Sequence, residues 1–412
     1  MSRAPMLGRA LAIGVPFAVA FAISELLRVI NAVAAPALTA ELGLDAALLA
    51  LVTSAFFLGF AAVQLPAGVL VDRYGPGRVV AALLVVAALG TAGFGLAPDA
   101  ATLAIARFAT GVGMSVSLMA GFAAFAIWLP ATWLPLANAC LLAAGQVGAF
   151  MGTAPAERLV ALVGWRPPFL GLALAIVGAA VLAAWLVPTR DPGPQGTPPF
   201  RHLVRDLGGV LVSATFWRIT PLCMTTTAAV LATPGLWAGG WLRDVAGLGA
   251  EATGFHLGAI AIGMAVGYVG LGWLAVRPER LGLGLGGLFI GASLAFLGVQ
   301  AAIILVGRVA PLAFWAAFGL LGTSGTYGYA MLVRTFGAGL AGRALTAANL
   351  GVVACAFAVQ YGPGWILAQW PTVDGHHPEV AYQAAFGAVL VVQAASFAWF
   401  VRPRPAQRSP SA

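Results

Sequence analysis

Glu25, Arg28 and Asn31 recur at intervals of three in a stretch, residues 9–33, that is otherwise almost wholly apolar. That spacing places a carboxylate, a guanidinium and an amide on one face of a helix, along about 9 Å of its axis at 1.5 Å per residue. Charged groups within an apolar run are retained where they pair or face a polar cavity. Two chemistries fit. Glu25 and Arg28 form a neutral structural pair, or Glu25 binds a coupling proton beside an arginine that binds an anion. Arg107 lies in a second apolar run with no acidic residue on its own helix, so it either pairs with Glu25 or meets an anion itself. Counted at 1.5 Å per residue, Arg28 and Arg107 fall at similar depths. The expectation is a polar centre of two arginines and one carboxylate, with one positive charge left for an anionic solute. His256, Tyr327 and Asn349 also interrupt apolar runs and complete the candidate binding or coupling residues; for each, the alternative is a hydrogen-bonded packing role.

No other chemistry is legible. A phosphate-cradling Walker loop, a zinc-binding HExxH and a nucleophile elbow are all absent from the sequence. Cys140, Cys223 and Cys355 are far apart, with no CxxC spacing. His376-His377, with Asp374 and Glu379, is the one cluster an enzyme could use; it falls in a predicted external loop and reads as solvated. No catalytic residue, metal site or cofactor is expected.

The elements that must hold these residues follow from composition. Of 412 residues, 61% are apolar and 8% charged, and the mean hydropathy is +0.96. Soluble domains carry about 25% charged residues, so this surface needs lipid. The net charge of +8 is too sparse to form a nucleic-acid stripe. All 21 basic residues are arginine. Windows of about 20 apolar residues predict twelve spans, at 9–33, 46–70, 78–97, 100–122, 134–155, 167–188, 211–235, 253–275, 282–306, 309–333, 343–368 and 380–401. Ala32-Val33-Ala34 resembles a signal cleavage site, but Glu25, Arg28 and Asn31 argue that the first run stays as a membrane helix. With the N-terminus cytoplasmic, Arg158, Arg166, Arg243 and Arg308 are external and Arg28, Arg107 and Arg218 lie within spans, leaving 21 − 4 − 3 = 14 arginines inside. That bias predicts both termini and residues 189–210 on the cytoplasmic side of a bacterial inner membrane. The Pro- and Gly-rich linker 189–210 separates a six-helix bundle at 1–188 from a second at 211–402, and 403–412 form a tail. Gly68-x-x-x-Asp72-Arg73 and Gly272-x-x-x-Val276-Arg277 follow the second and eighth spans, an offset of 272 − 68 = 204 that suggests duplication of a six-helix unit.

Residues 68–78, Gly-Val-Leu-Val-Asp-Arg-Tyr-Gly-Pro-Gly-Arg, resemble the loop signature of the major facilitator superfamily. Arg107-Phe-Ala-Thr-Gly-Val-Gly113 is similar to the family's RxxxGxG pattern, and Gly164-Trp165-Arg166 also resembles it. The resemblance implies an all-α membrane protein of twelve helices in two six-helix bundles, with substrate bound between the bundles and helices one, four, seven and ten lining the path. It implies a gating role for Gly68, Asp72, Arg73, Gly75 and Arg78, whose contacts hold the cytoplasmic side closed in the outward-open state. Gly77 stands where a second basic residue is common, and Val276 replaces the acid of the second copy. The expected function is secondary transport of a small solute, proton-coupled or by exchange, with an anionic metabolite as the candidate substrate. The expected partners are that solute and membrane lipid, with no nucleic acid, and a monomer suffices. The alternatives are a copper or other metal importer of the same superfamily and a non-transporting polytopic protein. Against the metal reading, the i, i+4 partners of Met224 and His256 are Ala228 and Ile260.

Overall fold

Apolar runs become helices because a spanning chain must satisfy its backbone N–H and C=O groups internally. The computed structural model describes residues 3–130, 133–188, 208–276, 282 and 284–402. In the first half it contains α1 (Arg3–Leu42), α2 (Ala46–Tyr74), α3 (Pro76–Leu96), α4 (Ala100–Met114), α5 (Ser117–Trp128), α6 (Leu134–Met151), α7 (Ala154–Val163) and α8 (Arg166–Leu186). The second half has α9 (Ala214–Ala232), α10 (Trp237–Asp244), α11 (Ala250–Val276), α12 (Leu285–Val306), α13 (Pro311–Gly322), α14 (Gly325–Leu367) and α15 (Glu379–Val401). The ends carry the expected caps. Asp45 and Asp99 accept from the N–H of Leu48 and Thr102 at 2.7 and 2.8 Å, a contact that satisfies an orphan donor of the first turn. Gly75, at φ +85°, makes the reversal between α2 and α3, a conformation closed to most residues with a Cβ.

Among the described residues, nine helices are long and apolar enough to cross a membrane, and a tenth crossing is the bent pair α9–α10, with an angle of 57°. The remaining passes are also broken. One is α6–α7, interrupted at Gly152 and Thr153; the other is α13 with the start of α14, interrupted at Thr323 and Ser324. α14 itself turns at Gly337, φ +63° and ψ 178°, and so contributes to two passes. Among the described residues, the nine helices, the bent pair and these two broken segments are consistent with the twelve spans expected. Because short turns alternate the direction, the chain has a proximal end, where α1 begins and α15 ends, and a distal end, where α1 meets α2.

The duplication is visible as contacts. A methyl added at Gly59 would lie 2.1 Å from the Phe108 carbonyl oxygen, and one at Gly111 would lie 2.0 Å from that of Phe56. In the second half, Gly263 stands in this relation to Ala316 and Gly319 to Ile260, each at 2.2 Å. Every pair is offset by 204 or 208 residues (263 − 59, 260 − 56; 319 − 111, 316 − 108). So α2 crosses α4 as α11 crosses α13, through two reciprocal glycines that let the backbones touch. The breaks repeat too. Ser115 Oγ donates to Val112 O at 2.8 Å, and 208 residues later Thr323 Oγ1 donates to Leu320 O at 2.7 Å.

Among the described residues, the two halves meet along three seams, all toward the distal end. Gly235 and Gly239 press on Arg28 O and Ala32 of α1; Gly254 meets Ala154; and Gly364 meets Ala46 O and Ala50 of α2. Trp237 sits at this junction, donating from Nε1 to Gln360 O at 2.7 Å.

Candidate functional site

α1 carries the expected polar face past Asn31, through an alanine-rich stretch to Leu42. Glu25 and Arg28 form a salt bridge in which both side chains are largely buried. The pair stands at the seam, because the Arg28 backbone packs on the turn at Gly235, between α9 and α10. The ring hydroxyl of Tyr268, on α11 of the opposite half, is within electrostatic reach of the Arg28 guanidinium. On the same half as Tyr268, Tyr329 donates to Asn349 Oδ1 at 3.4 Å. The second half thus presents Tyr268, which acts electrostatically on Arg28, and a Tyr329–Asn349 hydrogen bond.

The other arginine goes elsewhere. Arg107 is almost fully buried and donates from Nη2 to Leu27 O at 2.5 Å. The orientation of the Asn31 amide that satisfies both groups turns its oxygen to Arg107 Nε, at 3.0 Å, and to Nη2. The guanidinium lies 5.0 and 5.7 Å from the ring centroids of Phe56 and Phe94, a favourable arrangement for a cation over a π face. All these partners belong to the first half. Of the expected centre of two arginines and a carboxylate, the structure joins Glu25 with Arg28 at the seam, while Arg107 and Asn31 tie α4 to α1 inside one bundle.

Tyr327 is also internal, its hydroxyl donating to Leu271 O at 2.8 Å. His256 Nδ1 is 2.7 Å from Ala252 O of its own helix. Asn349 accepts from Tyr329. At the proximal turn, Gly75 makes the reversal, whereas Gly68 has open space where a Cβ would go. Arg73 lies over the Tyr74 ring at 5.3 Å, and Arg78 is exposed. The side chain of Asp72, residues 189–207, Arg277 and the tail from 403 lie outside the described residues.

At the distal end, the two halves enclose a cavity of about 620 Å³ lined by Thr39, Asp45, Trp237, Arg243, His377 and Tyr382, among others. Asp244 gathers the loop before α15: His376 Nδ1 lies 2.8 Å from Oδ1, and His377 N and the Tyr382 hydroxyl donate to Oδ2 at 3.3 and 2.8 Å. Burial pushes the His377 imidazole below its usual pKa, and Asp244 opposes that shift. Glu379 pairs with Arg308 at 2.7 Å. The His376–His377 cluster thus fastens a loop. Glu41, at the distal end of α1, accepts from Trp165 Nε1 at 2.6 Å and pairs with Arg166 at 2.7 Å, which gives the Gly164-Trp165-Arg166 segment its structural role.

Sequence reasoning passed over Tyr268 and the Arg158–Glu251 ion pair, 2.7 Å long, which joins α7 to α11. Tyr268 is one aromatic between small residues, with no spacing that marks it. Arg158 and Glu251 are 93 residues apart, so only the packing of α7 on α11 brings them together.

The comparisons agree with the fold. A family model described as Major Facilitator Superfamily matches residues 17–359. Among curated proteins, the chain is similar to the "Probable sulfoacetate transporter SauU" of Cupriavidus necator, 30% identical over 38% of this chain and 37% of that one. It is also similar to the "Inner membrane metabolite transport protein YdjE" of Escherichia coli, 29% identical over 33% of this chain and 29% of that one. The matched stretches thus span about a third of the length of these relatives. Among solved structures, the nucleoside transporter NupG superposes with a TM-score of 0.74 over 95% of this chain and all of the other, at 13% identity.

Proposed function

The chain belongs to the Major Facilitator Superfamily, and from that premise we propose that it carries a small organic anion across the bacterial inner membrane by alternating access, with Arg28 as the anion-binding group and Glu25 as its exchangeable counter-charge. The family is one of transporters, so this is a multi-pass membrane protein that binds a small-molecule substrate, and it is not an enzyme.

One observation carries the finer reading. The Glu25–Arg28 pair stands where the two halves meet, within reach of Tyr268 on the other half. A neutral ion pair at a seam has a use that the same pair inside a bundle lacks. An anion arriving at Arg28 competes with Glu25, and the displaced carboxylate then takes up a proton, so charge stays balanced in low dielectric. Tyr268, Tyr329 and Asn349 supply hydroxyl and amide groups from the second half, so closure around the solute engages both bundles. The name of the Cupriavidus necator relative, which refers to a small sulfonated carboxylate, supports an anionic substrate. Exchange of one anion for another would use the same groups without the proton.

The proposal extends to arrangement. Residues 1–188 and 211–402 act as the two moving bundles, 189–210 as the connecting segment and 403–412 as a tail, in a functional monomer with the proximal end in the cytoplasm. The repeated glycine crossings support the division, and the arginine bias supports the orientation. The metal reading gains nothing from the packing, since Cys223 and Met224 press against Gly328 and Gly351 in the second half and His256 bonds its own helix.

Binding tests the reading directly. Purified protein is titrated with sulfoacetate, and its thermal shift is compared for wild type, Arg28→Gln and Arg107→Gln. Stabilisation of wild type and Arg107→Gln but not of Arg28→Gln is the expected result. Undiminished stabilisation of Arg28→Gln removes Arg28 from the site. If wild type responds to a neutral or cationic solute and to no anion, the substrate class is wrong.

A further inference from the structure

Four arginines lie at the distal end, against the bias of the other loops, and each is held. Arg166 pairs with Glu41 inside the first half, and Arg308 with Glu379 inside the second. The other two cross between the halves. Arg158 of α7 pairs with Glu251 of α11 at 2.7 Å, and Arg243 of α10 donates from Nη1 to Ala32 O of α1 at 3.3 Å. We propose that Arg158, Glu251 and Arg243 are gate residues of the transport cycle, making the contacts that hold the distal end closed and that break each time it opens.

Their placement supports a gate over a folding role. The Arg158–Glu251 pair lies about one turn nearer the distal end than the point where Gly254 meets Ala154. Its side chains are 73% and 77% exposed. An exposed ion pair contributes little to global stability, but it biases an equilibrium between two arrangements of nearly equal free energy by a few-fold. A gate contact must be weak enough to break in every cycle. Arg243 crosses the neighbouring seam and, unlike the exposed pair, is partly buried. Its described bond to α1 is long, 3.3 Å, and the titratable groups that act on it electrostatically are Tyr382 on α15, Asp244 on its own helix and Glu157 on α7. Asp244 is itself fixed by His376, the His377 backbone and Tyr382. Arg243 belongs to the second half, while its hydrogen-bond acceptor, Ala32 O, belongs to the first.

The test reads the opening itself and needs no knowledge of the substrate. Spin labels are placed at Leu162→Cys and Val309→Cys, exposed distal positions on the two halves, after the three native cysteines are replaced by alanine. Their distance distribution is measured in lipid nanodiscs for Arg158→Glu, Glu251→Arg and the double reversal. Each single reversal sets like charges face to face and is expected to raise the distal-open population several-fold; the double reversal restores the unreversed distribution. A merely structural surface pair would leave that distribution unmoved and the melting temperature little changed. Should a reversed variant fail to insert, the same distance is read in the doubly labelled protein with native gate residues as the salt concentration rises from 50 to 500 mM. Screening is then expected to widen the distribution. Singles that leave the distribution unchanged, a double that fails to restore it, or a native gate indifferent to salt each overturn the proposal.

Discussion

Replacing Gly111 by alanine tests whether the reciprocal glycine crossings set the helix spacing. The new methyl would lie 2.0 Å from Phe56 O, whereas close C···O contacts in proteins run to about 3.3–3.6 Å. Phe56 O is backbone, so no side chain can swing aside, and α2 and α4 must part by more than about 1 Å. Tens of atom pairs, at about 0.1–0.2 kcal/mol each, lose a quarter to a half of their attraction over a gap of 0.5–1 Å. The loss is therefore roughly 1–3 kcal/mol, the usual range for an overpacked core. Gly319→Ala, against Ile260 O at 2.2 Å, should match it in the second half. Gly178 and Gly298 have open space in place of such a contact, so alanine there should gain about 0.5–1 kcal/mol from helix propensity alone. Additivity gives the sharper test. Gly59→Ala and Gly111→Ala push the same helix pair apart, so one separation relieves both and their double variant should fall short of the sum. Gly111→Ala and Gly319→Ala act on different halves and should add. Unfolding in mild detergent, followed by tryptophan fluorescence, measures all of these. If Gly111→Ala is as stable as Gly178→Ala, or the Gly59/Gly111 double is fully additive, the crossings do not fix the spacing.

Other perturbations separate the remaining roles. Arg107→Met should lower the melting temperature, since the Leu27 carbonyl and the Asn31 amide each lose a partner at about 1–3 kcal/mol, offset in part by removal of a buried charge; anion affinity of the folded protein should persist, and its loss in thermal-shift titrations would return Arg107 to the binding site. Asp72→Asn should insert normally yet slow transport in proteoliposomes, as expected of a state-specific contact at the proximal helix ends; a wild-type rate would remove the loop signature from the mechanism. The fold depresses the His377 pKa by burial, so the native loop binds fewer protons than the opened one, and its closure weakens as pH falls below about 6.5. Amide exchange of residues 371–378, corrected for intrinsic rates, should accordingly be faster at pH 5.5 than at pH 8, and equal protection at both would refute the link.

What the sequence made legible and what it hid have different physical origins. Spans are readable because hydrocarbon demands long apolar runs, whatever they pack against. The repeat is readable only faintly, since Gly68 and Gly272, the residues that suggest it, have open surroundings. The glycines that carry the symmetry, Gly59, Gly111, Gly263 and Gly319, look like any others in a chain with 53. The polar face of α1 could be placed from spacing, because Glu25, Arg28 and Asn31 are neighbours on one helix. Arg107 could not, because depth along a helix says nothing about azimuth. Its position relative to α1 is consistent with a shared cavity and with a buried contact alike; in the structure Asn31 and Leu27 O turn toward it. Tyr268 and the Arg158–Glu251 pair were hidden for a related reason: each acts across the seam, so its meaning depends on how two bundles dock. On the alternating-access reading proposed above, contacts across the seam are the ones expected to change during the cycle. A gate contact, made in only one arrangement, need leave no periodicity along the chain.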